Sequence, residues 1–170
     1  MRTGAGWMER DGPAEPGRAA VREVKRPMGR LVEQIDIDVP ADQVWAQLHR
    51  FDEYPNFVDG VRSAFAERDN RAHFDVTAAG GPRGVDAELI DRSGEQVLAW
   101  RTTSGRPELK GSLAVRELDR GHCELQARLE YDGDELRDAF GGPKGFAQVR
   151  AVEQAVRTDL EQFKELVENR

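Results

Sequence analysis

The sequence predicts an α+β domain: a curved antiparallel sheet of about six to seven strands wrapped around one long C-terminal helix, with two short helices after the first strand. Three observations predict it. A series of short segments alternates apolar and polar residues, the period of strands with one wet face. An early strand is followed at once by two short helical stretches. The last segment places Phe146, Val149, Val152, Val156, Leu160, Phe163 and Val167 at spacings of three and four, the stripe of a single amphipathic helix.

In chain order, Ile35, Ile37 and Val39 alternate with Gln34, Asp36 and Asp38, and Pro40 ends that strand. Ala41 to Leu48 reads as a helix with Val44, Trp45 and Leu48 on one face. Phe51 to Gly60 is a short helical or loop segment broken by Pro55, with Phe51, Tyr54 and Phe57 spaced by three. Strands follow at Val61 to Glu67 and Ala72 to Ala78, and Gly80-Gly81-Pro82 marks the next turn. Val85, Ala87 and Leu89 form one alternating face, Leu98, Trp100 and Thr102 another, and Gly111, Leu113 and Val115 a third. Cys123, Leu125, Ala127, Leu129 and Tyr131 make the clearest case, set against His122, Glu124, Gln126, Arg128 and Glu130. Leu136 to Phe140 is about one helical turn, capped by Asp134. The helix from Lys144 to Glu168 is roughly 35 Å long. An apolar-striped helix and a sheet with one apolar face bury those faces together, and a strongly curved sheet leaves a concave apolar space between them.

The chain has 170 residues, 25 basic and 32 acidic, net −7. Its 38% hydrophobic content becomes roughly 47% when glycine is counted and tyrosine is not, an ordinary globular value. Residues 1–28 hold four glycines and three prolines without a sustained period, and read as a flexible tail of net +2 before a domain spanning 29–170. Met28 is an alternative first residue for the domain. The acidic balance argues against a nucleic-acid partner, which wants a basic stripe. No apolar run approaches a membrane span, and one cysteine, Cys123, with no secretory signal fits a reducing cytoplasm.

The motifs of chemistry are sparse. His49, His73 and His122 form no close ligand pair, so no metal or other cofactor is expected. His122 and Cys123 are strand neighbours pointing to opposite faces, and Cys123 reads as a buried apolar residue. Gly80–Gly84 and Gly141–Gly145 lack the phosphate-loop pattern. Alternation places Phe74, Trp100, Leu113 and Tyr131 on the inner sheet face, with Ser63, Thr102 and the Tyr131 hydroxyl as its polar content. Phe146 and Val149 fall on the inner helix face and Glu153 at the helix edge. No arginine, lysine or histidine points inward, so no catalytic residue is assigned.

The stretches Ile35–Trp45, Phe51-Asp52-Glu53-Tyr54-Pro55-Asn56-Phe57, Asp86–Leu89, Ala99–Gly105 and Asp159–Lys164 together resemble the START-like superfamily, in particular its bacterial polyketide cyclase/dehydrase and coenzyme Q-binding branch. The likeness covers about residues 30 to 168. It implies a helix-grip fold with Tyr54 and Phe57 at the mouth of a cavity. The expected function is binding of an apolar small molecule (lipid, quinone or polyketide-like) by Tyr54, Phe57, Phe74, Trp100, Thr102, Leu113, Tyr131, Phe146, Val149 and Glu153, in a monomer or homodimer. The enzyme alternative is a polyketide aromatase/cyclase, and a protein-interaction module is the third.

Overall fold

The computed structural model describes residues 28–68, 70–104, 107–142 and 146–170, the side chain of Phe146 excepted. The proposed tail, apart from Met28, lies outside the described residues. Among the described residues seven strands form one antiparallel sheet: β1 (Met28–Ile37), β2 (Val61–Glu67), β3 (Arg71–Ala78), β4 (Gly81–Arg92), β5 (Val97–Ser104), β6 (Leu109–Asp119) and β7 (His122–Asp132). Their spatial order is β1-β7-β6-β5-β4-β3-β2. Consecutive strands β2 to β7 are simple hairpin neighbours, while β1 joins β7, with Ile37 opposite Cys123 and Leu31 opposite Leu129. The chain between β1 and β2 therefore crosses the whole sheet. Helix α1 (Ala41–Leu48) and a 3₁₀ helix (Phe51–Asn56) fill that crossing. After β7 come α2 (Gly133–Phe140) and the long α3 (Phe146–Glu168).

Helix α3 runs against edge strand β1. Arg157 Nε donates to Glu33 Oε1 at 2.8 Å, and Lys164 Nζ donates to the Asp36 carbonyl at 2.8 Å. Glu168 Oε2 accepts from the Asp38 amide at 2.8 Å. The apolar stripe of α3 is buried unevenly. Leu160, Phe163 and Val167 are 6, 1 and 5% exposed, whereas Val149 is 44% exposed. The core is gathered around the C-terminal half of α3, with Ile37, Val44, Leu48, Phe51, Phe57 and Leu125 packed there.

Several local details differ from the sequence reading. Trp45 is only half-buried, its ring edge-on to His49 with centroids 4.6 Å apart, and Gln47 takes the core-facing place instead. The β3–β4 turn is Ala79-Gly80, since Gly81 and Pro82 already pair with Ala78 and Thr77. Gly81 has φ +112°, which reverses the chain where a side chain would be strained. Helix α2 starts at Gly133, and its N-cap is Asp132, not Asp134. Asp132 Oδ1 accepts from the Asp134 and Glu135 amides at 2.9 and 3.2 Å. Ser63 leaves the inner face because the β2–β3 register slips between Val61 and Ser63.

On the outer face one hydrogen-bonded chain spans four strands. Ser63 Oγ donates to Asp75 at 2.7 Å, and His73 lies 3.0 Å from Asp75 and 2.7 Å from Asp86. Ser104 Oγ donates to Asp86 at 2.8 Å. Both imidazole nitrogens face carboxylate acceptors, an arrangement that favours the cationic form of His73. Hydrogen bonds to Asp86 and then Asp75 raise its pKa from the ordinary 6.5. Asp75 is lowered by Ser63 and then His73, and Asp86 by His73 and then Ser104.

Two outcomes follow from the packing. Phe163→Ala removes a ring that is 1% exposed and edge-on to Phe57 at 4.9 Å, and is expected to cost about 3–5 kcal/mol in urea unfolding. The raised His73 contributes stability below its unfolded pKa, lost as pH climbs through its folded value. The lowered aspartates contribute above theirs, lost as pH falls through their folded values. The loss of melting temperature in His73→Gln should therefore be larger at about pH 5.5 than at about pH 9. Equal losses at both would disprove the assignment.

Candidate functional site

Where the N-terminal half of α3 stands off the sheet, a cavity of about 540 Å³ remains, within the usual range for small-molecule sites. Four parts of the chain wall it. The sheet contributes Phe74, Trp100, Leu113 and Leu129 among others. The 3₁₀ region contributes Phe51, Tyr54 and Phe57, α2 contributes Leu136 and Phe140, and α3 contributes Ala151, Val152, Ala155 and Val156. Alanines on the α3 row, and Ala87 and Ala127 on the sheet, keep the space open where larger side chains would meet.

The aromatic end is rigidly built. Tyr54 stacks on Phe51 at 5.2 Å and meets Phe57 at 4.8 Å and Phe74 at 6.0 Å. Its hydroxyl donates to the Leu48 carbonyl at 2.7 Å, tying the 3₁₀ helix to the end of α1. Burial pushes the phenol pKa well above its ordinary 10.0, so Tyr54 is a wall of the cavity and not an acid. Trp100 lies over Gly111, its cross-strand partner, and a Cβ there would come 3.0 Å from the indole. The Thr102 hydroxyl donates to the Leu109 carbonyl at 3.3 Å and accepts from its amide at 2.9 Å. That hydroxyl closes the β5–β6 strand end instead of facing a guest.

Of the residues expected at the site, Tyr54, Phe57, Phe74, Trp100, Thr102 and Leu113 are brought together on the cavity wall. Tyr131 is not on it. Its ring turns sideways over Gly29, its partner on β1, where a Cβ would come within 2.6 Å, and it is 3% exposed. Glu153 and Val149 sit on a helix row beside the one that faces the cavity. Glu153 acts on Tyr131, whose pKa is raised by burial and then by that charge. The Phe146 side chain lies outside the described residues.

Sequence reasoning missed Asp159. It lies on the cavity wall, in the row of α3 that carries Val152 and Val156. Its Oδ1 accepts from the Asp59 amide, just before β2, at 3.2 Å. Burial, with the Asp59 charge as a minor contribution, raises its pKa from 3.8 to about 7 against that hydrogen bond. The signal was present: an acid three residues after Val156 and seven after Val152 interrupts an apolar stripe. Arg137 also reaches the wall, engaged with Asp134 at 3.7 Å and Asp138 at 3.5 Å. Cys123 is fully buried on the sheet, its thiol pushed up to about 11 by burial and then by Asp36. Among the described residues no cluster of three or more metal-ligating side chains is present, and no helix is long and apolar enough to cross a membrane.

An acid whose pKa rises on folding lowers stability as pH climbs from its unfolded value through its folded one. Asp159→Asn, which keeps the acceptor for the Asp59 amide, should therefore melt higher than the wild type at about pH 8 and nearly equal to it at about pH 4. Thermal denaturation across that range checks the sign.

Comparison with known proteins agrees with this architecture. Residues 28–168 match the family described as polyketide cyclase/dehydrase and lipid transport. An uncharacterised 17.2 kDa protein of Streptomyces lincolnensis is 27% identical over 143 residues, covering 84% of this chain and 92% of that one. An aromatase/cyclase from Streptomyces sp. R1128 superposes with TM-score 0.67 at 19% identity, over 85% of this chain and 96% of that one. A START superfamily protein from Mycobacterium smegmatis gives 0.61 at 14% identity, over 82 and 94%. A di-domain aromatase/cyclase of the BE-7585A biosynthetic pathway gives 0.65 at 21% identity over 82% of this chain, which spans only 46% of that protein's length. The long helix gripped by a curved seven-stranded sheet is the START-like arrangement, and the chain belongs to the polyketide cyclase/dehydrase and lipid-transport family.

Proposed function

We propose that the protein binds an apolar small molecule, a lipid, quinone or polyketide-like compound, in the cavity between the sheet and α3. The observation that carries this reading is the mostly apolar space of about 540 Å³ where a protein of this size would otherwise close its core. The aromatic end built by Phe51, Tyr54 and Phe57 supports it, because large rigid rings supply contact area with little entropy to lose. Family membership supports it too. A lone buried thiol and net −7 support a site of action in the cytoplasm with a small-molecule partner and no nucleic acid.

A second reading, a polyketide aromatase/cyclase, is favoured by one observation. Carbon-acid chemistry needs a base inside the cavity, and Asp159 is a wall residue that titrates near neutrality. Product formation from poly-β-ketone substrates by the wild type is the measurement that separates turnover from storage or transport.

The binding reading is tested by filling the space. Ala155 faces the cavity from α3 and is exposed to it. Ala155→Trp should weaken binding of the apolar probe N-phenyl-1-naphthylamine at least about tenfold with the melting temperature held. Native mass spectrometry of purified protein should in turn show an added mass that organic extraction removes. A wild type that neither takes up the probe nor carries a ligand would reject the reading.

A further inference from the structure

The polar groups that reach the cavity wall are largely spent within the protein. Tyr54 donates to Leu48, and the Thr102 hydroxyl is held from both sides by Leu109. Gln148 Nε2 donates to the Gly133 carbonyl at 2.6 Å, and Arg137 is paired with Asp134 and Asp138. Arg128 sends its Nε to Gln126 at 3.1 Å along the outer face. Asp159 is different. One of its oxygens takes the Asp59 amide at 3.2 Å, and among the described residues no other donor reaches the carboxylate. A carboxylate has acceptor sites on both oxygens. The Asp59 amide also fixes the orientation of the group, since it joins α3 to the start of β2.

The geometry points to a ligand class narrower than apolar: the cavity selects an apolar molecule that carries a hydroxyl group, which donates to the open oxygen of Asp159. This rests on the reading that the cavity binds an apolar molecule. A hydroxyl matches the site for three reasons. A ligand carboxylate would face Asp159 and the neighbouring Asp59 together, with like charges opposed. A ligand with no donor would leave the half-buried carboxylate without a partner on one side, a costly arrangement. A hydroxyl carries no charge that must be stripped of water on its way into an apolar space.

Protonation modulates the preference. The charged group facing Asp159 is Asp59; of the lining cations, Arg137 is paired with Asp134 and Asp138, and Arg128 sends its Nε to Gln126 on the outer face. Above about pH 7 the carboxylate is an acceptor only, and its charge strengthens the bond to a hydroxyl. Below that, a protonated carboxyl can itself donate to an ether oxygen, which narrows the difference between a hydroxyl and its methyl ether.

The test compares 2-naphthol with 2-methoxynaphthalene by displacement of N-phenyl-1-naphthylamine from the full chain. At about pH 8 the wild type should prefer the naphthol by about tenfold or more. The preference should shrink at about pH 5.5, a comparison that needs no variant. In Asp159→Leu, which removes the acceptor and keeps an apolar wall, both compounds should bind within about threefold of each other. Equal binding of the two by the wild type at the higher pH, or a preference that survives in Asp159→Leu, would overturn the inference while leaving apolar binding intact. A wild type that binds neither compound nor the probe would overturn both.

Discussion

The fold depends on how one helix is gripped. Helix α3 carries a single apolar stripe along its length, but the sheet closes on only part of it. Leu160, Phe163 and Val167 sink into the core with Ile37, Leu48, Phe51 and Leu125, and ion pairs and backbone contacts to β1 hold that half in register. The stripe continues through Val156 and Val152, where the opposing strands curve away. The same apolar surface that makes a core at one end therefore lines a cavity at the other. Packing at the first end has to be tight enough to carry the helix across the open stretch.

Two aromatic residues show how local partners decide what faces that cavity. Trp100 and Tyr131 occupy equivalent inward positions on neighbouring parts of the sheet, and each lies over a cross-strand glycine. Trp100 over Gly111 stays on the cavity wall, in the middle of the sheet. Tyr131 over Gly29 is drawn toward edge strand β1 and away from it. Equal alternation thus leads to different roles, because the ring follows the space its neighbour leaves.

The charged groups divide in a similar way. On the outer face His73 is held between two carboxylates in water, and hydrogen bonding sets its charge. At the cavity Asp159 has one backbone donor, and burial sets its charge. The first arrangement stitches β2 to β5 together. The second leaves a carboxylate at odds with its apolar surroundings, a common mark of a site made to meet another molecule.

Periodicity in the chain was enough to indicate about six to seven strands, the long helix and the apolar character of the inner faces, because strand and helix alternation are local properties of side-chain direction. The resemblance carried by Phe51–Phe57 and the flanking stretches placed the aromatic end. Local signals were weaker where geometry depends on a neighbour. The bulge at the start of β2 turned Ser63 outward, and Asp132 rather than Asp134 became a cap because the helix began earlier. Asp159 was legible only as an acid in an apolar row. Its pairing with the Asp59 amide, a hundred residues away, and its place on the cavity wall were decided by tertiary structure alone, since burial and long-range contact are not written in the spacing of any one segment.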